Sequence, residues 1–268
     1  MSDRNPQAEQ MSDESMIRTL ASQVKCIWPQ EKILFSRYGT PHHILDVGCG
    51  TGEFIVCLAK HYPQAEITGI EINAAHVARA QNKCKQFGDR VKIQQGDAFA
   101  LPVKPRSVDL IVCRHLLQSI PDPEKVITQC HEALRPQGWL HLLIEDYTMI
   151  HFQGPPKFDR FWLDGPIRFG QDTNCDLRIG RRGISLLNEF SERKMDFIAV
   201  DTERVSRTEF ANLFIAWRDG YSSVLAPYLS LPVERVVEIW DEMIAAIQSD
   251  YALWQVPIAS GRKKIIQR

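Results

Sequence analysis

Between residues 44 and 54 the chain reads Ile-Leu-Asp-Val-Gly-Cys-Gly-Thr-Gly-Glu-Phe. An apolar pair and Val47 lead into glycines at 48, 50 and 52, and an apolar-periodic run begins at Phe54, so the pattern predicts strand, tight turn and helix. Glycine at alternate positions lets the turn adopt backbone shapes closed to other residues and lets a ligand approach closely. The helix that follows directs its unpaired N–H groups at that turn. A nucleotide-like molecule is the expected occupant.

The spacing here is G-x-G-x-G. The dinucleotide fingerprint, G-x-G-x-x-G, needs its third glycine where this chain has Glu53, so NAD fits poorly. Asp46 stands at the strand end. Glu66 to Ile72 reads as a second strand, and Glu71 falls where an acid accepts hydrogen bonds from both hydroxyls of an adenosine ribose; a solvated strand end is the other reading. Ile72 offers an apolar face, and Asn73 has the character of an N-cap for a helix from Ala74 to Phe87. Val91 to Ala98 is a third strand closed by Gly96-Asp97, with Asp97 either a ligand acid or a turn former. Val108 to Cys113 is mostly apolar, as a central strand covered on both faces requires, and Arg114-His115-Leu116-Leu117 follows at its tip. Asp122 and Pro123 open a helix, and Leu134-Arg135-Pro136-Gln137-Gly138 leads into a fifth strand, Trp139 to Glu145.

Taken in order, these marks over residues 44–146 resemble the class I S-adenosylmethionine-dependent methyltransferases, in the branch that acts on small molecules. Beyond them the likeness is loose. It implies an α/β, Rossmann-like sheet of seven mostly parallel strands in the order 3-2-1-4-5-7-6, with helices on both faces and helical lid insertions. It also implies S-adenosyl-L-methionine as cofactor and S-adenosyl-L-homocysteine as product. Asp46, Gly48, Cys49, Gly50, Glu71, Ile72, Asp97, Ala98, Phe99, Cys113 and Arg114 would hold the cofactor, with Asp97 on the adenine amine and Ala98 and Phe99 flanking the ring. The Asn/Asp-Pro-Pro-Tyr/Phe sequence of relatives that methylate DNA adenine or protein glutamine is missing after the fourth strand, which argues against those acceptors.

At 268 residues the chain can bury one sizeable core, and one domain with insertions is favoured over two. A net charge of −1 and no basic run beyond Arg262-Lys263-Lys264 give no footing for a nucleic-acid groove. Seven scattered cysteines suggest neither a disulfide framework nor a zinc site, no other metal site is expected, and the pattern fits a reducing cytoplasm. No segment approaches the roughly 20 apolar residues that span a bilayer. A cytoplasmic protein with a small-molecule acceptor is expected, and assembly as a homodimer is compatible with the sequence.

Residues 1–15 are polar and expected to be flexible, with a single methyltransferase domain over 16–268: cap helices at 16–40, the cofactor-binding core at 41–150, substrate lid and accessory helices at 151–250, and the final strand and tail at 251–268. Apolar spacing predicts a helix from Met16 to Trp28, ended by Pro29. The aromatic-rich segment with Phe158, Phe161 and Trp162 reads as lid or as core-tucked loop. Phe210, Phe214, Trp217 and Tyr221 form one helical stripe, a pattern more of packing than of pocket, and Ser230 is a candidate cap for a helix from Pro232 to Ile247. A last strand, Ala252 to Ser260, would pair antiparallel with one near 197–205.

A methyl on a sulfonium is already activated, so holding the nucleophile in line is the main task, and a base is needed only when the attacking atom arrives protonated. His115, Asp146 and Tyr147 are the candidate catalytic residues, with His151 weaker and His141 structural. His115 can equally be a structural histidine. The Glu145-Asp146 pair would suit a cationic amine, His115 a phenol or acid, and Arg114, Arg168 and Arg178 an anion. The expected reaction is methyl transfer to an O, N or C atom of a small molecule; a silent S-adenosylmethionine-binding adaptor and a protein or RNA methyltransferase are the alternatives.

Overall fold

The structure, a computed structural model, describes residues 14–265. Five strands share one direction: β1 (His43–Val47), β2 (Glu66–Glu71), β3 (Val91–Gln95), β4 (Val108–Arg114) and β5 (Leu134–Leu143). β1 sits between β2 and β4, with Ile44 opposite both Ile67 and Leu110. Of the later strands, β7 (Phe190–Asp201) pairs with β8 (Ala252–Lys263), and β8 runs antiparallel to both β5 and β7. The long strands therefore lie in the order β3-β2-β1-β4-β5-β8-β7, the expected arrangement with the last strand inserted. One further strand, β6 (Ile150–Phe152), was not anticipated; it pairs with the start of β8, Ile150 opposite Trp254.

The pleat sorts the central strands onto two faces. Leu45, Val47, Ile111 and Cys113 pack in one core with α4 (Pro123–Ala133). Ile44, Leu110 and Val112 pack in another with α2 (Glu53–His61) and α3 (Ala74–Cys84). All seven residues of β4 are buried, which places its tip at the centre of the rim formed by the parallel strands. A third core joins β7 and β8 to α5 (Lys157–Asp164), α6 (Pro166–Asp172), α8 (Arg207–Leu229) and α9 (Val233–Ser249), the first two connected to the last two through β7 and the short α7 (Gly183–Leu186). Phe161, Trp162, Phe210, Phe214, Trp217 and Trp240 fill it, so most of the predicted aromatic stripe is packing.

The N-terminal helix departs from expectation. α1 runs Glu14–Leu34 straight through Pro29. The ring removes only the bond to the Lys25 carbonyl, and both residues lie on the exposed side, where water replaces the missing donor. The flexible stretch foreseen at 1–15 lies outside the described residues except for Glu14 and Ser15, which are helical. Asn73 caps α3 as expected, its Oδ1 accepting from Ala75 N and His76 N. Asp122 precedes α4 without capping it, since its carboxylate pairs with Lys125 Nζ. Ser230 ends α8 in a left-handed conformation, and Pro232 precedes α9. Among the described residues no helix is long and apolar enough to cross a membrane.

Candidate active site

Parallel strands bring their C-terminal tips to one rim, and a cleft of about 750 Å³ opens there. Gly48, Gly50, Glu71, Ile72, Asp97, Ala98, Phe99, Arg114 and His115 line it. Residues spread over about a quarter of the chain thus line one cleft. The glycine turn is anchored from β2: Gly48 N and Cys49 N donate to the Ile70 carbonyl at 2.9 and 3.0 Å, and Gly50 N donates to Glu71 Oε2 at 2.9 Å. Glu71 Oε1 accepts from Asn73 N at 2.9 Å, so each carboxylate oxygen has one lone pair committed and one left for a ligand. Gly48, Gly50 and Gly52 all have positive φ, which explains why the turn uses glycine three times.

An adjoining pocket of about 340 Å³ shares Leu20, Gly48, Arg114 and His115 with the cleft and adds Gln23, Asp46 and Cys49. Together the two spaces offer carboxylates for ribose hydroxyls and an exocyclic amine, apolar faces for a purine and a second compartment for an amino-acid tail. That donor set fits an adenosyl sulfonium.

Cys113 is not brought there. Its side chain alternates onto the α4 face of β4, is buried among Leu45, Val47 and Ile111, and lines neither space. Asp46 is buried at the inner wall. Burial pushes its carboxyl up to about 7, with Arg114 pulling it down and Glu31 and Glu71 pushing it further up. A raised carboxyl value means that the folded state holds the proton more tightly. The stability from this group is complete below the unfolded value of 3.8 and falls until the pH passes about 7. Relative to Asp46→Asn, the wild type is expected to lose about 2 kcal/mol between pH 5 and pH 8, read from urea midpoints of both proteins.

Two side-chain networks escaped the sequence reading. In the first, Glu31 of α1 is fully buried and holds Arg114 at 2.8 and 2.9 Å. His141 Nε2 stands 3.0 Å from the same carboxylate, and Tyr38 donates to His141 Nδ1 at 2.7 Å. Burial opposes ionisation of Glu31, but Arg114 and His141 hold it below the ordinary carboxylate range. Arg114 also lies over the Phe54 ring, 4.0 Å from its centroid, so its guanidinium is fixed from two sides.

In the second network, His115 stands in the left-handed region, φ 54, just past β4. Such backbone strain in a non-glycine residue is characteristic of functional positions. His115 Nδ1 bonds to Glu145 Oε1, and Gln23 Nε2 donates to the same oxygen at 3.2 Å. The carboxylate fixes the Nδ1–H tautomer, leaving a lone pair on Nε2, which is buried without a protein partner among the described residues. Tyr147 is half-buried beside Glu145. Desolvation, with the Glu145 charge behind it, pushes its phenol well up, so it stays a donor.

Asp146 is committed elsewhere. Its Oδ1 caps the turn at Thr148, and its Oδ2 accepts from Arg181 Nε at 2.8 Å. His151 is exposed on β6. Arg168 pairs with Asp164 on the surface and Arg178 lines neither space, whereas Arg114 is held by Glu31. Gln23 and Glu31 had one sequence signal: both are polar residues set on the apolar stripe of α1.

Residues 41–152 match the model of a methyltransferase domain family. The ubiquinone biosynthesis O-methyltransferase of Coxiella burnetii is 35% identical over 98 residues, 37% of this chain and 41% of its own length. Demethylmenaquinone methyltransferase of Lactiplantibacillus plantarum is 30% identical over 112 residues, 41% of this chain and 47% of its own length. The chain thus spans less than half of the length of these curated relatives. Among solved structures, a Haemonchus contortus phosphoethanolamine N-methyltransferase, bound to phosphomonomethylethanolamine and S-adenosylhomocysteine, shares the fold, with a TM-score of 0.57 at 17% identity over 89% of this chain and 53% of that one.

Proposed function

We propose that the chain transfers a methyl group from S-adenosylmethionine to a hydroxyl oxygen of a small molecule, with His115 as general base. The observation that carries this reading is the His115–Glu145 pair: a buried imidazole, fixed as one tautomer, with a lone pair that has no partner among the described residues, at the edge of the cleft. The cofactor supplies a methyl on a sulfonium, whose S–C bond breaks as the new O–C bond forms.

Glu71 holds the ribose hydroxyls, Asp97 the adenine amine, and Ile72, Ala98 and Phe99 the ring faces. His115 Nε2 takes the acceptor proton, Glu145 positions the imidazole and stabilises the resulting imidazolium, and Gln23 holds Glu145. α1 shields the site, with Leu20 lining both spaces. The lid helices over residues 151–250 complete the acceptor side. The O-methyltransferase activity in the name of the Coxiella relative is consistent with a protonated oxygen nucleophile.

The test is incubation of the purified protein with methyl-labelled S-adenosylmethionine and a panel of phenols, amines and carboxylates. Label in an aryl or alkyl methyl ether supports the reading; label confined to amines contradicts it. Glu71→Ala is expected to weaken S-adenosylhomocysteine binding by about 1–3 kcal/mol through the loss of its hydrogen bonds, measured by calorimetry.

A further inference from the structure

One polar side chain of α1 has its two ends on different neighbours at the strand-tip rim. Gln23 is 4% exposed, and its Nε2 donates at 3.2 Å to Glu145 Oε1, the oxygen that also bonds to His115 Nδ1. A carboxylate only accepts, so the amide nitrogen has to face Glu145 and the orientation of the group is fixed. Oε1 is thereby turned the other way. It is buried without a hydrogen-bond partner among the described residues, and Gln23 lines the compartment of about 340 Å³ beside the cleft.

A buried carbonyl oxygen is costly to leave without a donor, so this one calls for an N–H or O–H from a ligand. The charges around the compartment say which. Arg114, the cation on its wall, is matched by the two-point contact with Glu31, and Glu53 is taken up by Lys83 and Thr51. Asp46 is left, an acid 2% exposed that lines the same space. An amide oxygen and a carboxyl on one small compartment favour a cation that carries several N–H donors over a neutral or anionic group. A primary ammonium has three.

We infer that Gln23 reads the α-ammonium of the cofactor's amino-acid tail through Oε1, with Asp46 as the second acceptor, while its amide nitrogen holds Glu145 behind the base. One side chain of α1 thus joins cofactor recognition to positioning of the imidazole, and His115 Nε2 is left for the methyl acceptor. The inference rests on the methyl-transfer reading and adds a residue to that site.

The test is calorimetric titration of the full chain at neutral pH with S-adenosylhomocysteine and with 5′-S-(3-carboxypropyl)-5′-thioadenosine, which differs only in carrying hydrogen in place of the ammonium. The wild type is expected to bind the first about tenfold more tightly, or better. Gln23→Met keeps the length of the side chain and removes both polar ends. It should weaken S-adenosylhomocysteine about tenfold and leave the analogue within about twofold of the wild type, so that the preference collapses. Gln23→Asn, one methylene short, should move the same way. Equal wild-type affinity for the two ligands overturns the inference. So does a wild-type preference that survives in both variants, the result if Gln23 merely props α1 or if Oε1 holds only a water. In either case the binding of S-adenosylhomocysteine keeps the methyl-transfer reading in place; a chain that binds neither ligand refutes that reading and the inference with it.

Discussion

His115→Gln is expected to lower kcat by about 10²–10⁴ with a hydroxyl acceptor, the range for loss of a positioned general base, while S-adenosylhomocysteine affinity stays unchanged. Glutamine keeps a polar side chain of similar reach and removes the basic Nε2. Glu145→Gln should act in the same direction and more mildly, because it frees the imidazole to adopt the other tautomer without deleting it. A phenol acceptor adds a signature that a merely structural histidine does not produce. As the pH rises towards the acceptor's own value, near 10 for a simple phenol, the nucleophile arrives already deprotonated and the deficit of both variants should shrink. The measurement is kcat against pH for the three proteins; a deficit that stays constant up to pH 10 would remove His115 from proton transfer.

The second large effect is at Gly50. A Cβ built there stands 2.9 Å from Leu20 Cδ1, and φ is +54, a region that β-branched residues avoid. Gly50→Val therefore pushes α1 away from the glycine turn or turns the loop out of the left-handed conformation. Either change moves Gly50 N from Glu71 and reshapes both spaces of the cleft. S-adenosylhomocysteine binding is expected to fall more than a hundredfold. Gly39 supplies the control. It also has positive φ, +63, with no atom within 4 Å of the added Cβ, so Gly39→Ala strains the backbone away from the cleft and should leave binding intact.

What the sequence made legible follows from how locally each feature is encoded. The glycine turn, the strand that feeds it and the acids at the tips of β2 and β3 are each written in a few consecutive residues, and parallel topology then brings them together without further information. The partners of the chemistry are encoded far apart. Gln23 meets Glu145 across 122 positions, and Glu31 meets Arg114 across 83 and His141 across 110. No spacing rule reaches that far, and only the polar interruptions in the apolar stripe of α1 hinted at them. Strand alternation, counted from the buried Ile111, puts the Cys113 side chain on the same face, in the core with α4. Asp146 and Glu145 are neighbours with opposite fates: Arg181 and Thr148 occupy the first, and His115 and Gln23 meet at the second. β6 was overlooked because three residues carry too little pattern to announce a strand.

The account depends on an adenosyl sulfonium, not a dinucleotide, lying across the strand tips. Isothermal titration of the wild-type chain with S-adenosylhomocysteine and, separately, with NAD tests this most directly. One molecule of S-adenosylhomocysteine bound per chain, with no heat from NAD, is the predicted result. NAD binding without S-adenosylhomocysteine binding would contradict it.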